Sequence, residues 1–112
     1  MGVTIYHNPR CSKSRQTLSL LEDKGVSLTV INYLETPPSE KELTEILVKM
    51  GKRPQDILRR KEAREEGIDL TADDAGLIKA LVSHPRALER PIVVNGDKAA
   101  MGRPPESVLD IL

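Results

Sequence analysis

The feature that most constrains this sequence is a strand–turn–helix segment near its start, which holds the only cysteine of the chain. Residues 3–6 are mostly β-branched or aromatic, which is typical of a strand. Leucines then recur among charged residues up to Gly25, the pattern of an amphipathic helix that ends at a glycine. Residues 28–33 predict a second strand. This order predicts a βαβ unit with two parallel strands and places Cys11 in the turn before the helix.

The middle of the chain predicts a group of helices. Ser39, with Glu42 three residues later, is typical of a helix capping box, and apolar residues at spacings of three and four follow it up to Gly51. Residues 53–60 predict a short helical turn, and the charged run 61–67 predicts a solvated turn or a short helix. Residues 73–74 can cap another helix, which ends before the proline at position 85.

The end of the chain predicts a hairpin and a last helix. Residues 90–94 and 98–101 flank Asn95-Gly96, a strong signal for a hairpin turn. The predicted order is therefore βαβ, helices, ββα, which is the order of a thioredoxin-like α/β fold with a helical insert. We expect a mixed four-stranded sheet in a single domain over residues 1–112, with the insert at about residues 39–84.

Composition narrows the class of protein further. The 17 Lys and Arg residues balance the 17 Asp and Glu residues, so net charge favours neither a nucleic acid nor an anionic membrane as partner. We see neither a signal peptide nor an apolar run long enough to span a membrane, and a reactive thiol survives best in a reducing cytoplasm. One cysteine excludes an internal disulfide and leaves too few ligands for a thiolate zinc site, so we expect no metal.

Cys11 itself is predicted to be a reactive thiol. The free N–H groups and positive dipole end of the following helix favour a thiolate, and His7, Arg10 and Arg15 add basic groups nearby. The alternative is a small buried core cysteine. Position 14 is a serine, so a C-x-x-C redox pair is absent and an outside thiol must release any adduct formed on Cys11.

Each of the other candidate site residues allows both a functional and a purely structural interpretation. His7 could accept the thiol proton or be an ordinary residue at a strand end, and Ser14 could bond the thiolate or simply be polar. Arginines at positions 59, 90 and 103 carry the fork-shaped group that suits oxyanions and carboxylates, although each taken separately is typical of a solvated surface.

Four blocks of the sequence, in order, resemble the glutaredoxin-coupled arsenate reductases, the ArsC family. The blocks are His7-Asn8-Pro9-x-Cys11-x-x-Ser14-Arg15, Tyr33-Leu34-Glu35-Thr36-Pro37-Pro38, Arg90-Pro91-Ile92-Val93-Val94 and Arg103-Pro104-x-x-x-Val108-Leu109. The resemblance implies a thioredoxin-like fold, a catalytic Cys11, a thiol-activating His7 and a first-turn Ser14. It also implies oxyanion binding by Arg59, Arg90 and Arg103, with Arg60 as a rival in near register for Arg59, and a cis peptide bond before Pro91.

The function implied by the resemblance is arsenate reduction with glutathione as co-substrate and glutaredoxin as partner, without a bound cofactor. Two alternatives stay open. One is a general glutathione-dependent thiol reductase that uses the same pocket. The other is a regulator resembling Spx, which binds RNA polymerase; its relatives often carry C-x-x-C, so Ser14 weighs against it.

Overall fold

The computed structural model describes residues Gly2–Leu112. The chain divides into two compact units, one formed by the residues up to Thr36 together with Arg90–Leu112, the other by Pro37–Glu89. The helices predicted for the insert lie in the second unit. The organisation as a single domain over residues 1–112 stays a prediction.

The first unit contains the sheet. Its elements in chain order are β1 (Val3–His7), α1 (Ser12–Asp23), β2 (Leu28–Asn32), β3 (Ile92–Asn95), β4 (Lys98–Met101) and a 3₁₀ helix (Pro105–Ile111). The strands lie in the order β2-β1-β3-β4. β1 pairs with β2 in parallel, and β1–β3 and β3–β4 are antiparallel, so the predicted mixed four-stranded sheet is confirmed.

An aliphatic core fixes α1 against this sheet. Its fully or almost fully buried members are Val3, Ile5, Leu21, Val93 and Val108. Leu18 and Ile111 pack on the same cluster. Burial of such a side chain contributes about 1.5–3 kcal/mol. Because α1 and the strand before it share this core, the turn that holds Cys11 is anchored on both sides.

The second unit is helical. Its elements are α2 (Glu40–Met50), a 3₁₀ helix (Pro54–Ile57), α3 (Arg60–Glu65), α4 (Asp74–Ser83) and a second 3₁₀ helix (Pro85–Ala87). The predicted capping box is confirmed, since the Glu42 N–H donates to Ser39 Oγ at 3.1 Å and the Ser39 N–H donates to the Glu42 carboxylate at 3.0 Å. Gly51 ends α2 in the left-handed conformation, with φ 66°.

Two local predictions were wrong in detail. Arg59 does not end a helical turn: it is the extended residue before α3, and its N–H donates to the Ala87 carbonyl at 2.7 Å. For the charged run 61–67, by contrast, the predicted alternative of a short helix is the one found: its first five residues lie in α3, where Ala63 is fully buried. The hairpin loop is Gly96-Asp97, because Asn95 still pairs with Lys98 within the sheet.

No helix within residues 2–112 combines the length and the apolar content that crossing a bilayer requires.

Candidate active site

Cys11 occupies the position immediately before α1, in extended conformation. Its N–H donates to the Asn8 carbonyl at 3.0 Å, and its carbonyl accepts the N–H of Arg15 at 3.0 Å as the first bond of the helix. Its side chain caps no backbone group and is partly exposed. The predicted placement of Cys11 at the helix start is therefore confirmed, and the alternative of a buried core cysteine is not what the structure shows.

The surroundings of the sulfur favour its anionic form. Burial raises the pKa of the Cys11 thiol, but the nearby backbone N–H groups of Ser14 and Lys13, the charge of Arg103 and a hydrogen bond from Arg90 outweigh it, so the pKa lies below its ordinary value. The helix start contributes both the N–H groups and the favourable end of the dipole. A thiolate is the reactive form of cysteine.

Two of the predicted arginines lie beside this thiol. Arg103 donates from Nη2 to Cys11 Sγ at 3.5 Å and from Nε to the Arg90 carbonyl at 2.8 Å. The cis peptide bond expected before Pro91 is confirmed, and a second cis bond joins Arg103 to Pro104. Folding thus brings Cys11, Arg90 and Arg103 together from positions far apart in the chain.

Gly102 explains how closely the loop that carries Arg103 approaches α1. The Gly102 N–H donates to the Pro91 carbonyl at 2.9 Å. A Cβ at this position would collide with Thr17 Oγ1 and would lie 2.7 Å from Pro91 Cγ. Thr17 is fully buried in α1, so there is no room beside it for a side chain. A glycine is therefore needed for this packing, a role that the sequence alone did not reveal.

His7 and Ser14, which flank Cys11 in the sequence, are in hydrogen-bond contact with each other. Ser14 is fully buried, His7 is 7% exposed, and His7 Nδ1 lies 2.6 Å from Ser14 Oγ. The same hydroxyl accepts the N–H of Asn8 at 3.0 Å. Burial and then the charge of Arg15 lower the pKa of His7, which favours a neutral imidazole. Within residues 2–112 the hydrogen-bond partner of this imidazole is Ser14, and it is the backbone N–H of Ser14 that helps to lower the pKa of Cys11.

Asn8 holds the turn in shape and was missed as a site residue. Its Oδ1 accepts the N–H of Arg10 at 3.0 Å, and its Nδ2 donates to the Tyr33 hydroxyl at 3.4 Å. Asn8 is 7% exposed and Tyr33 fully buried. The signal available was the Asn-Pro pair, because asparagine side chains often bond the backbone two residues on in a turn.

Arg59 belongs to the second unit, where two carboxylates hold its guanidinium. Its Nε donates to Glu62 at 2.6 Å and its Nη1 donates to Glu89 at 2.9 Å. Burial lowers the pKa of Arg59, but these two carboxylates outweigh it and the pKa lies above its ordinary value. The rival, Arg60, is the exposed first residue of α3. The assignment of Arg59 to the oxyanion stays a prediction.

The arrangement can perform thiol chemistry on an anion. It offers one activated sulfur, a row of N–H donors and two guanidinium groups within a single unit. In residues 2–112, no group of three or more His, Cys, Asp or Glu side chains is arranged to hold a metal ion.

Comparison with known proteins agrees with this arrangement. A family model described as the ArsC family matches residues 6–111. The arsenate reductase of Haemophilus influenzae is 47% identical, with 100% of both chains covered, and the Escherichia coli K12 protein YfgD is 46% identical over 98% of this chain and 96% of its own length. The solved arsenate reductase of Vibrio cholerae superposes with a TM-score of 0.92 at 46% identity, covering 100% of this chain and 98% of that one. The resemblance seen in the four sequence blocks is thus confirmed: this chain belongs to the ArsC family.

Proposed function

We propose that this protein is an arsenate reductase in which the Cys11 thiolate attacks arsenate and outside thiols supply the electrons. The proposal is supported above all by the position of Arg103 Nη2, which lies 3.5 Å from the Cys11 sulfur at the start of a helix. The activity is the one by which the relatives in Haemophilus influenzae and Vibrio cholerae are named.

Arginines bind the substrate in this proposal. A tetrahedral oxyanion beside a thiolate loses water, so its charge must be compensated by donors held in place. Arg90 and Arg103 lie beside the sulfur, and guanidinium forks suit such an anion. Arg59 is the third proposed ligand, and Glu62 and Glu89 fix the orientation of its guanidinium.

The chemistry then follows from the sulfur. The Cys11 thiolate forms a sulfur–arsenic bond, and one oxygen of arsenate takes up protons and leaves as water. The glutathione thiol then replaces a second oxygen of the adduct, which also leaves as water, so that arsenic is bonded to both Cys11 and glutathione. A glutaredoxin thiolate attacks the glutathione sulfur, and the bond between that sulfur and arsenic breaks with its electron pair left on arsenic, which becomes trivalent. Water then displaces arsenite from Cys11 and regenerates the thiol. Overall, two thiols become one disulfide while arsenic is reduced from the pentavalent to the trivalent state. The residues of this chain contribute a nucleophile and preorganised positive charge.

Because the chain has a single cysteine, the electrons for the reduction must come from thiols of other molecules. Since the chain has no second thiol, glutathione is the proposed co-substrate and glutaredoxin the proposed partner. Because those thiols carry the electrons, the reaction as proposed uses no resident metal or prosthetic group. A reducing cytoplasm, where both thiols are kept reduced, is the proposed location.

The test is arsenite formation measured with arsenate, glutathione and glutaredoxin together, and then with each thiol left out. We expect activity only with an outside thiol and none in the folded variant Cys11→Ser. Glutathione-dependent reduction of other disulfides without any arsenite would transfer the assignment to a general thiol reductase.

A further inference from the structure

Three exposed cationic side chains lie on the turn and first helical residues around Cys11: Arg10, Lys13 and Arg15. Arg15 donates from Nη1 to the Pro9 carbonyl at 3.0 Å. None of the three forms an ion pair within residues 2–112, and the first acidic residue of the chain is Glu22.

The helical unit differs in how its arginines are paired. Arg53 pairs with Asp74 at 3.0 Å, and Arg86 pairs with Glu65 at 2.7 Å. Arg59 is held by two carboxylates. The chain as a whole has a net charge of zero. In the described part of the chain, the three cations next to the thiol therefore have no carboxylate partner, whereas three of the five arginines of the helical unit, all but Arg60 and Arg64, are paired.

Two of these cations, Arg10 and Lys13, are exposed and lie within two residues of the partly exposed Cys11. In contrast, His7 and Ser14 in the same segment are buried. Arg10 is the residue before Cys11, Lys13 is the second residue after it, and both side chains are exposed. Exposed cations near a reactive group raise the local concentration of anions and speed their encounter.

We propose that Arg10 and Lys13 form a docking surface for the carboxylates of the thiol or disulfide that exchanges with Cys11. The partner that fits is a small peptidic thiol with two carboxylates, of which glutathione is the probe. The inference rests on the proposed function in that an outside thiol must react at Cys11. The cations around Cys11 then have two separate roles. Arg90 and Arg103 act on the sulfur and bind the oxyanion. Arg10 and Lys13 bind the carboxylates of the outside thiol.

The exchange itself can be measured without arsenate. The Cys11 thiolate attacks one sulfur of a small disulfide, the disulfide bond breaks, a mixed disulfide forms on Cys11, and the other sulfur leaves as a thiolate. Cys11 is oxidised and the leaving sulfur is reduced, so electrons balance. Three disulfides of different charge serve as probes: anionic glutathione disulfide, neutral 2-hydroxyethyl disulfide and cationic cystamine.

The readout is the rate constant with glutathione disulfide divided by the rate constant with the neutral disulfide. This ratio cancels any change in the thiolate population of Cys11 between variants. The double variant Arg10→Ala, Lys13→Ala is expected to lower the ratio about two- to tenfold, the range that two exposed charge pairs can produce. Raising the salt concentration should lower the ratio of the parent protein and have little effect on the variant.

Matched controls separate this surface from net charge. Lys24→Ala removes an exposed cation that follows the last residue of α1, about 16 Å along the helix from Lys13, and should leave the ratio unchanged. The charge-reversed variant Arg10→Glu, Lys13→Glu should favour cystamine over glutathione disulfide.

An unchanged ratio in both double variants would overturn the docking surface while leaving arsenate reduction intact as a function. Equal losses with the Lys24→Ala control would also overturn it, since net charge alone would then explain the effect. Failure of Cys11 to react even with the neutral disulfide would instead contradict the reactive thiol on which the proposed function depends.

Discussion

Cys11 is surrounded by groups that act on its sulfur in opposite directions. Burial disfavours the charged form, whereas the backbone N–H groups of Ser14 and Lys13 and the two arginines beside it favour the thiolate, and the net effect is a lowered pKa. Only the backbone donors come from the local sequence. Arg103 is 92 residues away along the chain, so its contribution depends on the completed fold.

At the residue scale, we expect Arg103→Ala to weaken the binding of arsenate or of sulfate as a competing oxyanion by about 1.5–3 kcal/mol, the value of a charge-assisted hydrogen bond. Arg103→Lys should restore only part of this loss, because lysine keeps the charge but not the fork. Inhibition by sulfate gives the measurement, and Arg60→Ala is the control that should change nothing. If the double variant Arg90→Ala, Arg103→Ala binds oxyanions as tightly as the parent protein, the assignment of these two arginines to oxyanion binding is wrong.

The buried His7 predicts a dependence of stability on pH. Its pKa is lowered in the folded protein, by burial first, so the unfolded chain takes up the proton more readily. The free energy of unfolding should therefore fall as pH decreases through about 6.5, the ordinary histidine value. In His7→Asn this part of the slope between about pH 7 and pH 5 should disappear, as denaturant titrations at each pH would reveal. A slope equal to that of the parent would exclude His7 as its source.

Part of the site could be predicted from neighbouring residues alone. His7, Cys11 and Ser14 come together because a strand end and the first turn of a helix are only a few residues apart. The direction of the Ser14 hydroxyl, which faces His7 at 2.6 Å, depends on tertiary packing and could not be read from the spacing. Arg90 and Arg103 were candidates from their side-chain chemistry, but their assignment to one site came only from the family resemblance, since composition and periodicity say nothing about contacts between distant loops.

At the scale of elements, α2 shows how local sequence defines a helix end. Replacing Ser39 with Ala removes the bond from the Glu42 N–H and should cost about 1 kcal/mol of stability. Ser19→Ala is the matched control, because Ser19 is exposed inside α1, where alanine is the better helix former. Equal stability of the two variants, measured by urea unfolding, would mean that the cap contributes nothing.

The elements that were predicted well have strong local signals, and those that were not have weak ones. α2 combines a capping box with a regular apolar face, and both of its ends agree with the structure. α3 has one buried residue, Ala63, among six, so its extent was left open. In the hairpin, Asn95 stays in the strand, where its Nδ2 donates to the Ile111 carbonyl at 2.6 Å, and Gly96 takes the positive φ of 62° that the turn needs.

At the scale of the whole molecule, the presence of one cysteine in 112 residues determines how the oxidised protein can be reduced. Incubation with oxidised glutathione should add a single glutathione per chain, and intact-mass spectrometry should place it on Cys11 and find none on Cys11→Ser. Steady arsenate reduction should then require added glutathione or glutaredoxin, because the chain cannot release the adduct itself. Steady turnover with thioredoxin as the only thiol source would count against this route.

The claim on which the account depends most is that the folded protein stabilises the thiolate of Cys11 and so lowers its pKa. Titration of the ultraviolet thiolate absorbance against pH tests it directly, with Cys11→Ser as the blank. We predict a midpoint clearly below the value of about 8.5 for a free cysteine, and an upward shift in Arg103→Ala. A midpoint at or above the free value in the parent protein would contradict the activated nucleophile and with it the proposed reduction of arsenate.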